Sequence, residues 1–118
     1  MTDERMFTLL FEHLNARDLE KMADLLDPEA RFYFPKTKPL LGRDQILRFF
    51  NILLRQYPRL AFQIERVIKG GNIAAVHWKN AGTSRRNTPY SNEGVILLEV
   101  WDRKIIFMSD FFKDTEKF

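Results

Sequence analysis

The chain contains no cysteine, which excludes disulfides, thiol nucleophiles and cysteine-bound metals together. Glycine and proline are sparse, five of each in 118 residues, so the places where they fall read clearly as turns and breaks. No apolar run approaches the roughly eighteen residues that a membrane-spanning helix requires. Asp3 and Glu4 open the chain and Glu12 stops its first apolar run, a pattern unlike that of a signal peptide. Charge of one sign is also missing: 19 basic side chains stand against 16 acidic ones, for a net charge of +3. The basic residues are scattered, with Arg85-Arg86 adjacent in a loop, whereas a nucleic-acid reader gathers positive charge on one face. The expectation is a soluble cytoplasmic protein without a nucleic-acid or membrane partner, folded as one domain over residues 1–118.

Apolar residues make up 45% of the chain, and eleven of them are phenylalanines. Such rings fill a core or wall a cavity with little loss of side-chain freedom. Met6, Phe7, Leu10, Phe11 and Leu14 recur at helical spacing behind a candidate cap at Thr2. Asn15-Ala16-Arg17 breaks that helix, and Asp18 caps a second one that carries Leu19, Met22, Leu25 and Leu26 and stops before Asp27-Pro28. Residues 30–34 form a short aromatic strand, which the prolines at 35 and 39 end, because proline donates no ladder hydrogen bond. Gly42-Arg43-Asp44 opens a third helix that runs to about Tyr57, and Pro58 stops it. Strands at 60–69 and 72–83 join through Gly70-Gly71, and residues 84–88 form a loop. Residues 88–112 then make a long hairpin turning at Asp102-Arg103. Helices followed by a run of antiparallel strands define an α+β domain.

The order of these features resembles the nuclear-transport-factor-2-like (NTF2-like) superfamily. The residues that carry the resemblance are Asn15-Ala16-Arg17-Asp18 between two short helices, Pro28-Glu29-Ala30 before the first strand, and Gly42 before the third helix. The ending, Tyr90-Ser91-Asn92-Glu93-Gly94-Val95 through Ser109-Asp110-Phe111-Phe112, is similar to the SnoaL-like branch. The resemblance implies a cone-shaped, curved antiparallel sheet wrapped around three helices (a cystatin-like roll), with an internal pocket and often a homodimer through the outer sheet face. Relatives include polyketide cyclases, steroid isomerases, epoxide hydrolases and scaffolds, so the fold leaves the activity open.

Carried over residue by residue, the resemblance speaks against two of these chemistries. A ketosteroid isomerase needs an aspartate base, a tyrosine and a second acid; the corresponding positions hold Phe34, Leu10 and Ile96. The Asp–Arg–Asp set of limonene epoxide hydrolase meets Asp110 on the last strand, but Trp78 and Asn80 on the middle one. Polyketide cyclases place an acid–base aspartate on the last strand, and Asp110 matches it. Their helping histidine has no counterpart, since His77 neighbours Trp78 and points to the opposite face.

Strand alternation puts Met108, Asp110 and Phe112 inward, and Asn92, Gly94, Ile96, Leu98 and Val100 inward on the preceding strand. Val95, Leu97 and Trp101 then face outward, and so apolar an outer face suggests a dimer contact. The expected pocket residues are Leu10, Phe34, Trp78, Asn80, Asn92 and Met108, with Tyr33 at its mouth. Asp110 is the candidate general acid or base, since burial among phenylalanines raises a carboxyl pKa. A capping role, or pairing with an arginine, is its structural alternative. His13 and His77 are separated and make no metal site, and no glycine loop suits a phosphate; neither a metal nor a cofactor is expected. Three functions stay open: an acid–base enzyme on a small hydrophobic molecule, a non-catalytic binder of such a molecule, or a dimeric scaffold that uses Arg85 and Arg86.

Overall fold

The structure is a computed structural model that describes residues 3–117. Helix α1 (Asp3–Ala16) and helix α2 (Leu19–Leu25) lead into strand β1 (Leu26–Tyr33) and the two-residue β2 (Leu40–Leu41). Helix α3 (Arg43–Gln56) follows, and then strands β3 (Ala61–Gly70), β4 (Ile73–Thr83), β5 (Pro89–Trp101) and β6 (Lys104–Phe112). The expected cap at Thr2 lies outside the described residues.

The break after α1 has a local cause. Arg17 takes a left-handed φ of 56°, and the Asp18 N–H reaches back to the His13 carbonyl at 2.9 Å, the wrapped bond of a Schellman ending. The Arg17 guanidinium then donates to the Tyr57 and Pro58 carbonyls, which ties the end of α1 to the end of α3. Asp18 accepts from the Lys21 N–H at 3.0 Å and caps α2. Asn15 acts like a strand residue: its side-chain amide donates to the Phe62 carbonyl at 2.9 Å and accepts from the Phe62 N–H at 2.7 Å.

All six strands form one sheet in the order β2-β1-β6-β5-β4-β3. Neighbours run antiparallel except β1 and β6, which run parallel, so the sheet is mixed where a wholly antiparallel one was expected. A parallel pair needs a long crossover, and here everything from β2 to β5 supplies it. Strand β1 starts at Leu26, earlier than the sequence pattern suggests, and contains Pro28. The ladder to β6 is irregular between Leu26 and Arg31, so proline's missing donor falls where no bond is made.

The turn between β3 and β4 is Gly71-Asn72, one residue later than expected; Gly70 pairs with Ile73 and Gly71 has a φ of 61°. The turn between β5 and β6 lies at Asp102-Arg103, as expected, with both residues at positive φ, 49° and 63°, the geometry of a type I′ hairpin. The core sits between the inner sheet face and the helices. Phe7, Leu10 and Leu14 of α1 and Ile46, Phe50 and Leu53 of α3 pack with Val76, Leu98, Ile105 and Met108 of the sheet. Among the described residues, no helix is long and apolar enough to cross a membrane.

Candidate functional site

The site is set by register. Ile96 pairs with Asp110 and Gly94 with Phe112 across β5 and β6, while Trp78 pairs with Gly94 across β4 and β5. With a period of two, Trp78, Asn80, Ile96, Asp110 and Phe112 all border the space inside the cone. Gly94 makes this arrangement feasible. A Cβ there would collide with the Phe111 carbonyl oxygen and lie 2.8 Å from both Phe112 Cβ and Trp78 Cζ2.

Asp110 is held by its neighbours as an acceptor. The Trp78 indole Nε1–H donates to Asp110 Oδ1 at 3.0 Å, and the Phe111 backbone N–H also bonds the carboxyl. These bonds favour the ionised form, but burial outweighs them and pushes the Asp110 pKa up to about 7. Tryptophan thus takes the place where an arginine partner was considered.

The enclosed space is small, about 30 Å³, room for one or two water molecules. Its walls are Leu10, Phe11 and Leu14 of α1, Phe32 of β1 with Phe34 just beyond it, Phe50 and Leu53 of α3, and Leu60, Phe62, Trp78, Ile96 and Phe112. Rings close it in a chain: Phe49 to Phe34 at 4.7 Å, Phe34 to Phe112 at 5.2 Å, Phe112 to Trp78 at 6.1 Å and Trp78 to Phe62 at 5.8 Å. Besides Asp110, the wall carries the polar side chain of Asn80, 6% exposed. Asn80 Oδ1 is buried and has no hydrogen-bond partner among the described residues.

A second, open hollow of about 420 Å³ shares Phe34 and Phe112 with this cavity and is lined also by Tyr33, Pro35, Ser109, Phe111 and Thr115. Asp110 borders both spaces. Of the expected pocket residues, Leu10, Phe34, Trp78, Asn80 and Asp110 therefore meet around one cavity, while three lie elsewhere. Tyr33 stands at the rim of the open hollow and packs on Phe107 at 5.7 Å. Met108 is wholly buried deeper in the core. Asn92 is engaged with the chain end: its amide donates to Tyr90 Oη and the Asp114 carbonyl, and its oxygen accepts from the Glu93 and Asp114 N–H groups. It lines an outer groove instead. Gly94 and Phe62 were missed by sequence reasoning. A glycine inside a strand is a signal of close approach and could have found the first; the ring of Phe62 carries no such mark.

On the outer face, His77 Nε2 bonds Glu93 Oε2, and Lys113 Nζ lies 3.1 Å from Glu93 Oε1. These contacts, His77 first, hold the Glu93 carboxyl below its usual range. Val95, which pairs with His77 and with Phe111, is exposed beside them, as is Phe111 at 57%, while Trp101, 68% exposed, lies at the turn end of β5. Among the described residues, no three His, Asp or Glu side chains gather as a metal site.

Three helices enclosed by a curved six-stranded sheet, with an acid on the inner face of the last strand, define an NTF2-like α+β cone. Within that class, the chain belongs to the SnoaL-like domain family, whose profile matches residues 7–108. Solved structures agree on the fold. An NTF2-like protein of unknown function from Burkholderia pseudomallei superposes with a TM-score of 0.89 at 16% identity, over 99% of this chain and 95% of that one. A candidate SnoaL-like polyketide cyclase from Jannaschia sp. CCS1 gives 0.86 at 20% identity, over 94% and 85%. A candidate ketosteroid isomerase from Kribbella flavida gives 0.76 at 27% identity, over 96% and 78%. No curated protein matches the chain.

Proposed function

We propose that this SnoaL-like protein takes a small hydrophobic molecule into its cone and that Asp110 moves a proton on or off it. The observation that supports this most is a carboxyl raised to about 7 by burial, on the wall of an apolar cavity. A group that titrates near neutral pH is suited to general acid–base work. Trp78 orients the carboxyl through its indole N–H, and Leu10, Phe34 and Asn80 shape the space beside it. The names of the cyclase and isomerase neighbours make proton transfer the reaction class to test first. The three-residue isomerase set is not available, because Leu10, Phe34 and Ile96 stand at its positions and all three line the cavity.

Native mass spectrometry of the freshly purified protein tests the binding half: extra mass identifies the class of occupant. With a substrate in hand, Asp110→Asn is expected to lower turnover about a hundredfold or more while binding persists. Unchanged turnover removes Asp110 from the chemistry. The absence, among the described residues, of a second proton-transfer side chain on the cavity wall supports a non-catalytic binder as the alternative; binding without conversion, in both wild type and Asp110→Asn, would establish it. We also propose a homodimer through the outer sheet face, on the strength of the exposed Val95, Phe111 and Trp101.

A further inference from the structure

Asn80 Oδ1 is a buried acceptor without a partner among the described residues, on a side chain that borders both the apolar cavity and the outer groove. Leaving a buried amide oxygen unbonded is costly, and whatever occupies the cavity is the group placed to satisfy it. Asp110 borders the same small space and, when neutral, can donate. One group accepts and the other donates, and a hydroxyl can serve both at once. Building on the proposed pocket, we infer that the cavity selects an apolar molecule bearing a single hydroxyl group, whose O–H donates to Asn80 Oδ1, and that Phe34 and Phe112 turn aside to admit it.

The door follows from volume. A benzene-sized ring needs a cavity of about 150 Å³, several times the roughly 30 Å³ enclosed here, so side chains must move. Phe34 and Phe112 are the two rings that border both this space and the open hollow of about 420 Å³. They touch each other at 5.2 Å, and Phe112 is the last residue of β6. Trp78, by contrast, cannot turn without breaking its bond to Asp110.

Phenol and toluene have the same shape and differ in the hydroxyl. A cavity without an acceptor favours toluene, because desolvating the hydroxyl goes uncompensated. Titrated into the wild-type protein, phenol is expected to bind about tenfold or more tightly than toluene, and to shift the Asn80 side-chain amide resonances where toluene does not. Asn80→Leu is expected to abolish the preference. Phe112→Ala is expected to tighten both ligands while keeping it. Equal affinities, or a preference that survives in Asn80→Leu, would overturn the role of Asn80 and leave the pocket standing. Affinities unchanged in Phe112→Ala would overturn the door. Binding of neither molecule to wild type or Phe112→Ala would bring down the pocket reading itself. If Asn80→Leu fails to fold, the wild-type affinity ratio and the Asn80 resonances decide.

Discussion

Asp110 holds its proton more tightly in the folded chain than in the unfolded one, where its pKa returns towards 3.8. Between those values the native state carries the extra proton, so this residue makes stability fall as pH rises from about 4 to about 7 and level off above. The loss amounts to at most ~4 kcal/mol. Asp110→Asn keeps an oxygen for the Trp78 indole and removes the titration. The variant is therefore expected to match wild type in urea denaturation near pH 4 and to exceed it by a few kcal/mol at pH 8. A wild-type advantage at pH 8 would mean that the carboxylate is stabilised rather than strained. The facing of Trp78, Asn80 and Asp110 was legible because a strand's period of two assigns sides. Parity does not assign depth: Asn92 and Met108 are spent on other contacts, one in a hydrogen-bond cluster at the chain end and one in the closed core.

Strands β5 and β6 bring the site together, and two positions in them make sharp predictions. Gly94 pairs with Trp78 of β4 and Phe112 of β6, and a Cβ there would lie 2.8 Å from atoms of both side chains. Gly94→Ala is expected to destabilise the fold by about 2–4 kcal/mol, read as a lower urea midpoint, with loss of the Trp78–Asp110 bond. A neutral result would show that the backbone there yields. At the other end, Arg103 occupies a left-handed turn position, with φ at 63°. Arg103→Gly relieves that strain and is expected to raise stability by about 0.5–1 kcal/mol. The hairpin itself was readable from turn residues and alternation. The parallel pairing of β1 with β6 was not, because it joins segments more than seventy residues apart, and no local pattern records which distant edges meet. Strand β2, only two residues long between Pro39 and Gly42, has too few positions to show a period.

Taken whole, the molecule has an inner sheet face buried against helices and an outer one on which Val95 pairs with Phe111 across β5 and β6, both exposed. If this surface joins two copies, Phe111→Arg is expected to convert a dimer to a monomer in analytical ultracentrifugation without altering the fold. A wild-type protein that sediments as a monomer at micromolar concentration would remove the interface. The family and the cone were legible over nearly the whole chain, since the order of helices, breaks and strands survives where individual polar residues do not.

Asp110 borders two spaces at once, the small inner cavity and the open outer hollow. The smallest of all cargoes, a proton, can therefore pass between bulk water and the interior through that single carboxyl while the aromatic rings stay shut. A guest of the kind proposed above would have to wait for those rings. With a guest of the proposed kind, the interior would keep two clocks: its charge following the medium promptly, its contents turning over at the slower pace of side-chain rearrangement.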